Sequence, residues 1–182
     1  MEANNEIAKN EQQELREMLD TIVSEENAEN WWKPELFEQN TLPILPPELE
    51  IVAGVPNEEQ NYNCFVYVLG LDNHTEIIGN KGWEFTRNLG PIFDELIEKD
   101  LLKKVATPAK GLVIVYRTQS GNISHVGLME SEDTVISKWS WGPLLKHHIF
   151  AVPADYGDTV EFYTLTPEAI DFVLAKLNTN VD

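Results

Sequence analysis

The chain holds a single cysteine, Cys64, in 182 residues, which excludes an internal disulfide framework and a zinc site built from several thiolates. It is also short of positive charge, with 13 Lys and Arg against 31 Asp and Glu and a formal net charge of −18. Binding nucleic acid through its phosphates needs clustered Lys and Arg, so no nucleic-acid partner is expected. No apolar run approaches the about 18 residues needed to span a bilayer, so no membrane partner is expected either. The start, Met1-Glu2-Ala3-Asn4-Asn5-Glu6, lacks the basic and apolar regions of a secretory signal, which predicts a cytoplasmic protein and leaves open only export by a signal-independent route. The carboxylates form no spaced ligand set, so no metal and no cofactor are assigned. Internal repeats and low-complexity tracts are absent.

What is present is enough apolar and aromatic material for one core: 42% hydrophobic residues, with five Trp, seven Phe and five Tyr. The charge is lopsided. Residues 1–60 carry fifteen acids against three bases, and the remainder sixteen against ten. Such an acidic segment reads first as a solvated face that aids solubility and second as a surface for a basic protein partner. Residues 6–24 have helical periodicity, with Leu15, Met18, Leu19, Ile22 and Val23 on one stripe. Trp31 and Trp32 open a short second helix that can pin the arm down, and Pro43, Pro46, Pro47 and Pro56 predict an extended connector over 42–56. The expected division is an acidic helical arm with its connector at 1–56 and a domain at 57–182, with residues 1–50 dispensable for folding.

Within 57–182, a buried helix starts at Cys64, and a polar loop from Asn73 and His74 through Gly79, Asn80, Lys81, Gly82 and Trp83 has room to border a cleft. Pro91 starts a helix with Ile92, Phe93, Leu96 and Ile97 inward. From residue 104 the period becomes that of strands: 111–117, 124–130, 134–139, 144–152 and 159–165, with turns at 118–122 and 130–133. Thr166 and Pro167 begin a last helix with Ile170, Val173, Leu174 and Leu177 on its inner stripe. Helices before strands predict an α+β fold, a central Cys-bearing helix packed on a four- to five-stranded antiparallel sheet.

Asn61 or Asn63 can cap the helix and leave Cys64 in its first turn, where backbone N–H groups favour a thiolate. A free cysteine is more often an inert buried hydrophobe, so the histidines decide. His125 opens the strand His125-Val126-Gly127-Leu128, and the gap at Gly127 lets another group approach. An imidazole there can take the thiol proton.

Asn63-Cys64-Phe65-Val66, Lys110-Gly111-Leu112-Val113-Ile114-Val115-Tyr116 and Ser124-His125-Val126-Gly127-Leu128 together resemble, in order and spacing, the NlpC-type branch of papain-like cysteine peptidases and amidases over about residues 57–165. The block from Ser137-Lys138-Trp139 to Tyr156-Gly157 is similar to another group of papain-like domains. The resemblance implies a papain-like core and attack by Cys64 on an amide carbonyl of a peptide or protein, with hydrolysis or transfer to an amine. His125 would be the base, Ser137, His147 or His148 the group that orients it, and Tyr62 with the Cys64 N–H the oxyanion donors. The chain departs from the family at Asn63, where Asp is usual, and at Phe65-Val66, where Ser-Gly is usual. Its rival is a non-catalytic papain-like domain that binds a protein through the acidic arm. The enzyme requires a Cys64 sulfur within about 4 Å of a His125 nitrogen and a thiol pKa lowered to about 4 to 7.

Overall fold

In the computed structural model, residues 2–74, 77 and 89–179 are described, with side chains for 9–74, 77 and 90–176. Gly79, Asn80, Lys81, Gly82 and Trp83 of the expected cleft loop, and the side chain of Leu177, lie outside them. The α+β class holds, but the sheet is larger than expected. It has seven strands: β1 (Glu50–Ala53), β2 (Leu102–Val105), β3 (Val113–Arg117), β4 (Ile123–Met129), β5 (Thr134–Lys138), β6 (Leu144–His148) and β7 (Thr159–Leu165). Their order is β1-β6-β5-β4-β3-β7-β2, and every pairing is antiparallel.

The five expected strands appear in the interior, with the fourth ending at His148 rather than 152. The two additions are the edges. β1 fits between Pro47 and Pro56 because an edge strand tolerates neighbouring prolines that a central strand would not. The β3–β4 hairpin closes where Gly121 adopts φ +86°, and the Thr118 N–H bonds the Asn122 carbonyl at 3.0 Å. In the β4–β5 turn the Ser131 hydroxyl oxygen accepts from the Thr134 N–H at 3.1 Å, the local bonding that favours serine in turns.

Both faces of this sheet are covered. On one side Val113, Val115, Val126 and Tyr163 pack under the helices Cys64–Val68, Leu89–Glu98 and Pro167–Thr179, which contribute Val66, Phe93, Leu96, Ala169 and Val173. On the other, Ile114, Tyr116, Val135, Trp139 and Leu145 pack under the N-terminal segment.

That segment is not an appendage. Its helix Glu2–Val23 and the helix Ala28–Trp32 bring Leu19, Ile22 and Trp31 into the second core, and Phe37 and Leu49 join them. Trp31 stacks on Trp139 with centroids 5.9 Å apart and donates its indole N–H to the Trp139 carbonyl at 3.0 Å. Gly142 passes so close to the indole that a methyl there would collide with it. Arg16 is buried, with its guanidinium 2.7 Å from the Gly157 carbonyl and 3.1 Å from Asp158. The connector is likewise structured: a 3-10 turn at Leu42–Ile44 precedes β1, which pairs with β6 and places Glu50 against Lys146. Residues on both sides of position 56 thus share the second core. Of the predicted stripe, Leu19 and Ile22 are buried, whereas Met18 faces solvent.

Candidate functional site

Asn63 caps the Cys64 helix as expected, its backbone extended (φ −107°, ψ −178°) and its side-chain oxygen accepting from the Val66 N–H. Asn61 anchors the approach by donating to the Trp141 carbonyl at 3.0 Å. The helix is only five residues long, and Cys64, Val66 and Val68 are all buried. A dipole that short offers little to an anion, and desolvation dominates. Burial pushes the Cys64 thiol up to about 11, against weaker help from the backbone at Val126, from that of Phe65 and Cys64 in the helix's own first turn, and last from the Lys138 charge. The expected low-pKa nucleophile is not what this environment makes.

His125 is on the wrong side of the sheet to serve it. Side chains alternate along β4, and opposed residues of an antiparallel pair share a face. Val126 pairs with Val115 in the core that holds Cys64, while His125 pairs with Tyr116 in the core beneath the arm. There the imidazole stacks on Tyr156, centroids 4.1 Å apart and planes at 20°, with Tyr116 at 5.4 Å. Its Nε2 is buried with no protein hydrogen-bond partner. Burial, aided by the charge of His147, holds its pKa well below the usual histidine value. The expected Cys64–His125 pair is therefore not formed.

Ser137 and His147 do meet, 2.8 Å apart, but on the His125 face and without bonding His125. Trp139 Nε1–H donates to the Ser137 oxygen at 2.9 Å. The Ser137 hydrogen is then free for His147 Nε2, which leaves Nδ1–H to donate to the His148 carbonyl at 2.8 Å. This chain of three bonds is closed and buried, and desolvation pulls His147 down to about 4. His148 is exposed, its ring 3.9 Å from Asp133. None of the three candidates orients His125.

The buried charge that acts on Cys64 is Lys138, a residue that carries no motif of its own. It is 1% exposed, donates to the Gly142 carbonyl and lies 5.2 Å over the Tyr62 ring. Burial lowers its pKa to about 7, with Cys64 opposing the shift. Tyr62 therefore lies under a lysine as a cation–π partner. Burial, then Asp72, raises its phenol pKa. The signal available in sequence was strand parity: in Thr134-Val135-Ile136-Ser137-Lys138, if Ser137 faces one core, Lys138 must face the other.

Among the described residues, no group of three or more His, Cys, Asp or Glu side chains could hold a metal ion, and no helix is long and apolar enough to cross a membrane. The molecule is thus an α+β protein whose antiparallel sheet has buried Cys64 and Lys138 with half-buried Tyr62 on one face, and buried His125, Ser137 and His147 on the other. The chain belongs to the family described as Domain of unknown function (DUF7689), which matches residues 55–164. No curated protein and no solved structure matches it.

Proposed function

We propose that this chain is a non-catalytic domain of papain-like descent that binds a basic protein partner through its acidic N-terminal surface. The carrying observation is that the acidic segment is folded onto the sheet by Trp31 and Arg16 rather than trailing from it, so the acids of its described residues are carried on a backbone held to the sheet. A fixed field of one sign steers and selects a partner of the other. The separation of Cys64 from His125 by the sheet, and the raised thiol pKa, remove the main support for thiol chemistry. Fluorescence anisotropy with a labelled oligolysine peptide tests the reading: binding that weakens steeply with salt is expected, and no binding at low salt overturns it.

A second reading keeps the enzyme and is favoured by one observation, the buried Lys138 amine whose charge acts on Cys64 and whose pKa burial lowers to about 7. In its neutral form, which burial favours, the amine would take the thiol proton as sulfur attacks an amide carbonyl, and return it to the departing amine. Iodoacetamide labelling of the native chain against pH decides between the two. Slow modification at every pH below 9 supports the binding domain; a fast reaction with an inflection below 8, lost in Lys138→Met, would replace it with the enzyme.

A further inference from the structure

The N-terminal helix and the segment after the Leu42–Ile44 turn border a groove of about 550 Å³. Its walls include Leu15, Met18, Ile44 and Pro46, and Glu11, Glu14 and Glu48 stand among them. A second hollow of about 300 Å³ shares Glu11, Leu15 and Glu48 and runs on to Phe150. Among the described residues four large hydrophobics are exposed, and two of them, Met18 at 42% and Ile44 at 61%, line this groove. No Lys or Arg lines either hollow, and none of the three glutamates is in an ion pair among the described residues. Glu11 and Glu14, and Leu15 and Met18, are each three residues apart on one helix, so acid and apolar positions run in parallel along its surface.

Resting on the binding reading above, we propose that this groove seats an amphipathic helical segment of a partner protein, its aliphatic side chains between Met18 and Ile44 and its Lys and Arg against Glu11, Glu14 and Glu48. Charge selects that occupant. A second copy of this chain, at −18, an anionic lipid surface and a nucleic acid are all repelled by the same glutamates. A helix laid in a groove is a recurring recognition mode, with anchors spaced three and four residues apart.

The test uses the full chain and two fluorescein-labelled 16-residue peptides, one with Leu at helical spacing among Lys, the other with Ser in place of Leu. The Leu/Lys peptide is expected to bind about tenfold tighter than the Ser/Lys peptide, and Ile44→Ser to remove most of that difference. Glu11→Lys with Glu48→Lys should weaken the Leu/Lys peptide about tenfold or more. Glu58→Lys with Glu59→Lys, exposed acids outside the groove, should weaken it less than about twofold. If the peptides bind alike, or the outside pair costs as much as the groove pair, the groove is overturned and the acidic-surface reading stands. If neither peptide binds, both fall.

Discussion

Stability should fall between pH 7 and pH 5 because His147 cannot accept a proton without breaking the closed hydrogen-bond chain from Trp139 through Ser137. The native pKa is about 4, whereas the unfolded chain titrates near the ordinary histidine value of about 6.5. Between those values the unfolded state binds a proton that the native state refuses. The stabilisation is therefore complete above about pH 6.5 and declines as the pH falls. At pH 5 the histidine has crossed about 1.5 of the 2.5 pH units between the two values, a loss of about 2 kcal/mol. His125 acts in the same direction, its pKa also lowered by burial. Against a total of about 5 to 15 kcal/mol for a typical domain, such a loss is easily measured. Urea unfolding followed by tryptophan fluorescence at the two pH values provides the comparison, with His147→Gln as the second protein. The amide oxygen can still accept the Ser137 hydrogen, but the side chain no longer titrates. The variant should lose about 2 kcal/mol less than the natural chain over this interval. Equal losses in the two proteins would refute the reasoning. The choice of pH 5 matters, since Glu161, held near 2 by Lys104 and Arg117 against the cost of burial, contributes only below its unfolded value of about 4.5.

Other substitutions probe the two cores. Trp31→Ala should cost about 3 to 5 kcal/mol by thermal or urea unfolding, since the indole is 1% exposed and stacked on Trp139. A fragment of residues 51–182 should lack a cooperative melt, because it bares the face that Leu19, Trp31 and Phe37 cover; a sharp transition near that of the full chain would contradict this. Gly142→Ala should destabilise by about 1 to 3 kcal/mol or more, as its methyl would collide with Trp31, and a cost below about 0.5 kcal/mol would mean that the indole moves freely. The natural chain should gain about 2 kcal/mol from Lys138 between pH 7 and pH 9, where unfolded lysine is protonated and native Lys138, at about 7, progressively loses its proton. Lys138→Met should abolish that gain. Above pH 9 the raised thiol of Cys64 works the other way, because the native state then holds a proton that the unfolded chain loses.

The elements with internal periodicity were readable from the residues. Val113-Ile114-Val115-Tyr116 is apolar at every position because both faces of β3 are buried, so it is legible as a strand and mute about which side each residue faces. The same holds at Ser124-His125-Val126, where His125 and Val126 are both buried. A motif match carried His125 to Cys64 there, and parity carried it away. The edge strands escaped for a different reason: Glu50-Ile51-Val52-Ala53 and Leu102-Lys103-Lys104-Val105 are four residues each, too short for an alternation to rise above chance. Trp31 was legible as an anchor, but not the extent of what it anchors, because its partners Trp139 and Gly142 are more than a hundred residues away.

The pairing of β1 with β6 also sets the order in which the chain can become a protein during synthesis. Glu50 meets Lys146, and Arg16 meets Gly157, so the arm leaves the ribosome with neither partner yet made. At about 5 to 20 residues per second, the interval before β6 follows β1 is about 5 to 20 s. During that time Leu19, Trp31 and Phe37 have no sheet to cover. The fifteen acids of the first 60 residues then act as a temporary solvent coat, keeping a sticky amphipathic segment apart from its neighbours until the far end of the chain arrives.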